Sequence, residues 1–136
     1  MINFNYETDF SLNDESRYGD WISRVISSEG KKEGEISYIF CNDDYLHKIN
    51  LEYLNHDDLT DIISFDYCVG NELNGDIFIS VDRVKDNAKY FHVAFDDELK
   101  RVMAHGVLHY SGYKDKTDED SNLMRLKEEE KIKLFI

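Results

Sequence analysis

The chain has 136 residues, 41% of them hydrophobic, and a formal net charge of −13 from 29 acidic and 16 basic side chains. That size and apolar content suit one domain over residues 1–136 and exclude a disordered tail, and no apolar run approaches the roughly 20 residues of a membrane span. The acidic balance argues against a free-standing nucleic-acid binder unless basic residues cluster locally.

Met1 to Glu7 alternates apolar and polar residues through Ile2, Phe4 and Tyr6 and reads as a strand. Ser11, with Asp14 three residues on, resembles a capping box for a helix over Leu12 to Ser28, whose Tyr18, Trp21, Ile22, Val25 and Ile26 fall at helical spacing. Gly30 and the cluster Lys31-Lys32-Glu33-Gly34 read as a turn, and Glu35 to Cys41 as a second strand. Asn42 and Asp43 can cap a helix through Asn55 that presents Leu46, Ile49, Asn50 and Tyr53 on one face. After the polar loop Asp57 to Asp61, a third strand covers Ile62 to Tyr67. Gly70-Asn71 and Asn74-Gly75 mark turns, and Asp76 to Val81 is a fourth strand. Helices follow over Asp82 to Phe91, over Asp96 to Tyr110 with Asp96 as its cap, and from Thr117, paired with Asp120, towards Leu134. The order predicts an α+β fold: a small mixed four-stranded sheet packed with about five helices.

The segment that carries chemistry is His105-Gly106-Val107-Leu108-His109-Tyr110-Ser111-Gly112-Tyr113-Lys114-Asp115. Histidines four apart on a helix share a face. Leu99, Met103, Gly106, Val107 and Tyr110 form an apolar stripe with the histidines along its edge, half-buried yet within reach of solvent. Gly112 tolerates the left-handed backbone that ends a helix, so the chain can reverse and return Asp115 to the pair. His105, His109 and Asp115 are therefore the expected metal ligands, on a helix of the C-terminal half and the loop after it. Catalytic zinc typically takes three protein ligands and keeps a fourth position for water. The bland alternative makes Asp115 the start of the next helix cap. Zinc proteases of the H-E-x-x-H kind need a glutamate after the first histidine as base; Gly106 stands there, which disfavours peptide hydrolysis.

The run H-G-V-L-H-Y-S-G-Y resembles the signature of the YbeY endoribonucleases. Asn50-Leu51-Glu52-Tyr53 followed by Thr60-Asp61-Ile62-Ile63-Ser64-Phe65, and Gly75-Asp76-Ile77-Phe78-Ile79, are similar to that family's helix and strands in the same order. The resemblance implies one Zn²⁺ per chain and single-strand-specific cleavage in ribosomal-RNA maturation and ribosome quality control. It also implies ribosomal RNA and the ribosome, or ribosome-associated proteins, as partners. Two positions depart from it. The third ligand place, usually histidine, holds Asp115, whose charge weakens the metal's pull on its water. The place after the helix tyrosine, usually arginine, holds Leu54, which removes a planar phosphate contact.

No general base is identified; Asp61, Lys114 and Lys116 are the candidate side chains beyond the ligands. His47, His56 and His92 stand alone and read as structural or surface residues, and Cys41 and Cys68, outside any C-x-x-C pair, as small buried hydrophobes. Lys85, Lys89, Arg101, Lys114 and Lys116 are the residues that could make a local basic strip. The start of the chain lacks a basic flank and apolar stretch, which points to the cytoplasm, with no membrane contact. The alternatives are a non-catalytic ribosome-biogenesis factor with a structural metal, or another enzyme with two histidines and one carboxylate, such as a non-haem iron site.

Overall fold

In the computed structural model, which describes residues 1–136, nine elements follow one another. They are β1 (Ile2–Tyr6), α1 (Glu15–Ser28), β2 (Lys32–Cys41), α2 (Asp43–Leu54), β3 (Ile62–Asp66), β4 (Glu72–Ser80), α3 (Val81–Phe91), α4 (Phe95–Tyr110) and α5 (Asp118–Ile132). The strands form one mixed sheet in the order β1-β2-β4-β3. β1, β2 and β4 run parallel, and β3 lies antiparallel to β4 on the outer edge. Parallel neighbours need a crossover, which α1 supplies between β1 and β2. The α+β architecture expected from the sequence is the one observed.

Alternation along the strands and 3.6-residue spacing along the helices meet in one core. Tyr38 and Phe40 of β2 and Ile77 and Ile79 of β4 pack with Trp21 and Ile22 of α1 and Met103 and Val107 of α4. The other face of the sheet holds a smaller cluster of Cys41, Leu46 and Ile63 under α2. Buried polar tips are satisfied and tie the layers together. The Tyr38 hydroxyl donates to the Met103 carbonyl at 2.8 Å, and Trp21 Nε1 donates to the Lys131 carbonyl at 2.8 Å.

Several boundaries differ from the sequence reading, each for a local reason. Asn74-Gly75 is not a turn; both residues lie inside β4. A Cβ at Gly75 would overlap the Tyr110 hydroxyl and the Phe65 carbonyl oxygen, so this glycine answers a close approach of α4 rather than a reversal of the chain. The Asn74 side chain accepts from the Glu35 amide at 2.7 Å, where the β2–β4 register shifts between Glu33 and Ile36. β2 therefore begins at Lys32, within the expected turn. α1 is capped by Asp14, which accepts from the Arg17 amide at 3.2 Å, not by Ser11. α4 starts at Phe95 behind Ala94 with no side-chain cap. Asp96, Asp97 and Glu98 sit in its first turn instead, where their charges favour the helix dipole. Tyr53, expected on one face of α2 with Leu46, Ile49 and Asn50, is 67% exposed, whereas Leu46 and Asn50 are buried. No helix is long and apolar enough to cross a membrane.

Candidate metal centre

α4 is held against the sheet because Gly106 allows it: a Cβ there would meet Ile77 Cδ1 at 3.0 Å and Ile62 Cδ1 at 3.2 Å. Gly106 faces the sheet, and the two histidines stand at the edge of the contact, with side chains 16% and 32% exposed for His105 and His109. The helix ends in a Schellman pattern. Gly112, at φ 109°, donates to the His109 carbonyl and Tyr113 to the Leu108 carbonyl, each at 3.1 Å. The reversed chain is then pinned twice. The Tyr113 hydroxyl donates to Glu29 at 2.7 Å, and the Ser121 hydroxyl donates to the Asp115 carbonyl at 2.9 Å. Thr117, not Asp115, caps α5, so the Asp115 carboxylate is left for the histidines.

His105 Nε2, His109 Nε2 and Asp115 Oδ2 form a triangle with sides of 2.9, 3.2 and 3.3 Å. Donors bound tetrahedrally at about 2.0–2.1 Å lie about 3.3 Å apart. The three side chains are the cluster able to hold a metal ion. Their chemistry fits that role. Glu128 Oε2 lies 2.6 Å from His105 Nδ1, and an ionised carboxylate only accepts, so Nδ1 carries the hydrogen. In the neutral ring this leaves the Nε2 lone pair directed at His109 and Asp115. Electron-rich atoms this close repel one another unless a proton or a cation sits among them.

Behind this cluster lies a buried ionic network. The Glu128 side chain is 3% exposed and is contacted by Arg101 Nη1 at 3.3 Å; Arg101 Nη2 and Nε bind Glu98 at 2.6 and 3.0 Å. Burial alone would lower the Arg101 pKa, but the Glu98 bond and the charges of Glu128, Glu98 and Asp61 carry it well above the ordinary value. A carboxylate–histidine pair of this kind fixes ring orientation behind a metal.

Sequence reasoning missed Glu98 and Glu128. A signal existed: Met124, Glu128 and Lys131 are the buried residues of α5, at the i, i+4, i+7 spacing of an inward stripe. Charged residues in that phase need buried partners.

The three side chains open on a cavity of about 310 Å³, walled also by Thr60, Asp61, Ile62, Ser64 and Arg101. Asp61, 3.8 Å from Arg101, has its pKa raised by burial, with Arg101 and His105 pulling the other way. Lys114 and Lys116 are exposed beside Asp115 and are not part of the cavity wall. Arg101 is drawn into ion pairs and does not join Lys85 and Lys89 in a solvated basic strip. Of the lone histidines, His47 pairs with Asp57 at 2.9 Å and His92 ends α3 in the left-handed conformation. His56 is exposed and lines a small hollow beside the edge strand β3. Cys41 is buried as expected; Cys68 is only half-buried, its sulfur bonded to the backbone of Asn74.

A mixed α+β fold with two histidines and a carboxylate gathered at a polar cavity defines the class: a small hydrolase with a site able to hold a metal. The chain matches the family model described as Endoribonuclease YbeY over residues 3–135. It is 71% identical over 135 residues to the endoribonuclease YbeY of Flavobacterium johnsoniae, covering 99% of this chain and 97% of that protein. It is 64% identical over 135 residues to that of Flavobacterium psychrophilum, covering 99% and 96%. The solution structure of TM1509 from Thermotoga maritima superposes with a TM-score of 0.73 at 25% identity, covering 99% of this chain and 89% of that one. The chain belongs to the endoribonuclease YbeY family, and it is an endoribonuclease.

Proposed function

We propose that this protein is a zinc-dependent endoribonuclease that cuts single-stranded RNA in ribosomal-RNA maturation and ribosome quality control. Residues 1–136 act as one domain, working in the cytoplasm against ribosomal RNA and in contact with the ribosome or its associated proteins. His105, His109 and Asp115 hold one zinc per chain. The observation that carries the catalytic reading is the triangle of donors opening on the cavity. A structural zinc is closed by four protein ligands, whereas three with an open side leave room for a reacting group.

When bound, the metal supplies Lewis-acid polarisation of a phosphoryl oxygen and acidifies a water. The protein supplies placement. Glu128 and Arg101 keep His105 in one tautomer and orientation, and the Tyr113 and Ser121 bonds hold Asp115 in register. Asp61 is the cavity carboxylate left over from ligation, and its raised pKa suits it to take a proton from the attacking oxygen. Lys114 and Lys116, exposed on either side of Asp115, favour approach of a phosphate from solvent and take no part in the proton transfer.

The test is elemental analysis of purified wild type and Asp115→Ala, followed by cleavage assays on unstructured and duplex RNA. About one zinc per chain, lost in the variant together with cleavage of the unstructured RNA, is the expected result. A wild type that cuts RNA without taking up zinc would overturn the metal assignment. One that binds zinc but cuts no RNA would leave a structural site.

A further inference from the structure

The metal cavity lies on the α4 side of the sheet, at its open edge, where β3 is the outermost strand. On the α2 side of the same strand is a groove of about 490 Å³, floored by Phe65 and Phe78 and rimmed by Tyr45, Tyr53 and Tyr67. Tyr53 is 67% exposed and Tyr67 57%. Tyr53 packs on Phe65 in a T-shaped pair, with ring centroids 5.8 Å apart at 81°. Rings this exposed contribute little to the fold.

The two hollows are neighbours along the free edge of β3. A third, of about 270 Å³, is lined by Asn50, Leu54 and His56 and shares Thr60, Ile62 and Ser64 with the metal cavity. Phe65 follows Ser64 directly. From Ile62 to Phe65 the strand advances about 10 Å, roughly three base spacings of a stacked strand. This path holds Asp58 beside Leu54 and carries no lysine or arginine to pair with a phosphate. Glu52 and Asp76 line the groove against a single base, Lys48, so a phosphate is disfavoured there. Aromatic faces take any unpaired base, and the two carboxylates accept from base amino groups.

We propose that the groove of Tyr53, Phe65 and Tyr67 is a stacking subsite for an unpaired nucleobase of the RNA, a few nucleotides from the scissile phosphate. The subsite rests on the endoribonuclease reading and adds how this acidic chain holds its substrate: through base faces at the edge strand, rather than through phosphate contacts.

The test uses metal-loaded full-length protein and a single-stranded oligoribonucleotide carrying 2-aminopurine at successive places, with Tyr53→Ala, Tyr67→Ala and Tyr53→Phe. One place should show fluorescence quenching with wild type and Tyr53→Phe that disappears in Tyr53→Ala. Stacking contributes about 1–3 kcal/mol per base, so each alanine variant should bind roughly 5–150-fold more weakly, and by the same factor at low and high salt. Zinc affinity should not change. Unchanged binding and quenching in both alanine variants would overturn the subsite while leaving the nuclease intact. No quenching at any place, with an apolar peptide bound by wild type and not by Tyr53→Ala, would assign the groove to a protein partner instead. Wild type that neither binds nor cuts RNA when loaded with metal would overturn the activity itself, a different outcome from either.

Discussion

Glu128 offers the sharpest test of how the site is held. Its carboxylate accepts from His105 Nδ1 at 2.6 Å, with side chains 3% and 16% exposed. Hydrogen bonds to charged groups contribute about 1.5–3 kcal/mol net, and each 1.4 kcal/mol is about tenfold in affinity. Glu128→Ala should therefore weaken zinc binding roughly 10–150-fold, in line with the 10–100-fold typical of outer-shell partners. The variant leaves Arg101 with Glu98 and Asp61, so the network loses one arm and the fold survives with a lowered midpoint. Glu128→Gln keeps an acceptor oxygen but no charge and should fall between the two. The assay is competition for zinc against a chromophoric chelator, with the circular dichroism of the metal-free proteins as the check on folding. Affinity of folded Glu128→Ala within about threefold of wild type, under 1 kcal/mol, would refute the view that Glu128 orients His105.

Asp115→His should keep the metal but remove a negative charge from it, shifting the rate profile towards lower pH; an unmoved profile in steady-state cleavage would show that the third ligand does not tune the reacting water. Gly75→Ala places a Cβ against the Phe65 carbonyl, which cannot move aside, and should lower the thermal midpoint far more than Gly106→Ala. The latter meets only side-chain methyls at 3.0 and 3.2 Å and regains about 1 kcal/mol of helix propensity against about 1–3 kcal/mol of overpacking. Burial pushes the Glu29 pKa up, but its bonds to Lys131 and Tyr113 outweigh this and leave it lowered. Its stabilisation is therefore full above the ordinary carboxylate range and is lost as pH falls through the lowered value. Urea midpoints should fall less steeply with acidification in Glu29→Gln than in wild type. Chelation of the metal should reduce RNA affinity as well as cleavage, measured by anisotropy, because the bare cavity is acidic.

The His105, His109 and Asp115 cluster was legible in sequence because all three lie within eleven residues, on one helix and the reversal after it, where spacing alone fixes geometry. The sheet was legible for a related reason: strands and helices alternate with clean periods, and β3 and β4 carry apolar runs. What spacing could not give was any pair far apart in the chain. The Glu128–His105 bond joins α5 to α4, and the Glu29–Tyr113 bond joins the end of α1 to the ligand loop. Gly75 misled for the opposite reason. Asn-Gly is a turn signal where the chain is free to reverse, but here the missing side chain admits Tyr110, whose hydroxyl donates to the Phe65 carbonyl at 2.8 Å. Local rules read the glycine; only the packed helix shows what it is for.

An endoribonuclease with a net charge of −13 must solve a problem of repulsion, and the site shows how. Asp61, Glu98 and Glu128 surround one guanidinium, Arg101, and Glu128 and Asp115 lie on either ring nitrogen of His105. Arg101 is spent on this network and does not serve as a phosphate clamp. A divalent ion held by His105, His109 and Asp115 would be the largest positive charge facing the cavity, so binding of the scissile phosphate and its activation become a single requirement. Away from the cavity, the path around β3 carries Asp58, Glu52 and Asp76 against the single cation Lys48, and what it offers RNA is the aromatic faces of the groove. With the ion bound, attraction for a polyanion would be concentrated at one point, which would favour flexible, unpaired RNA over a duplex whose phosphates would meet acidic surface along its length.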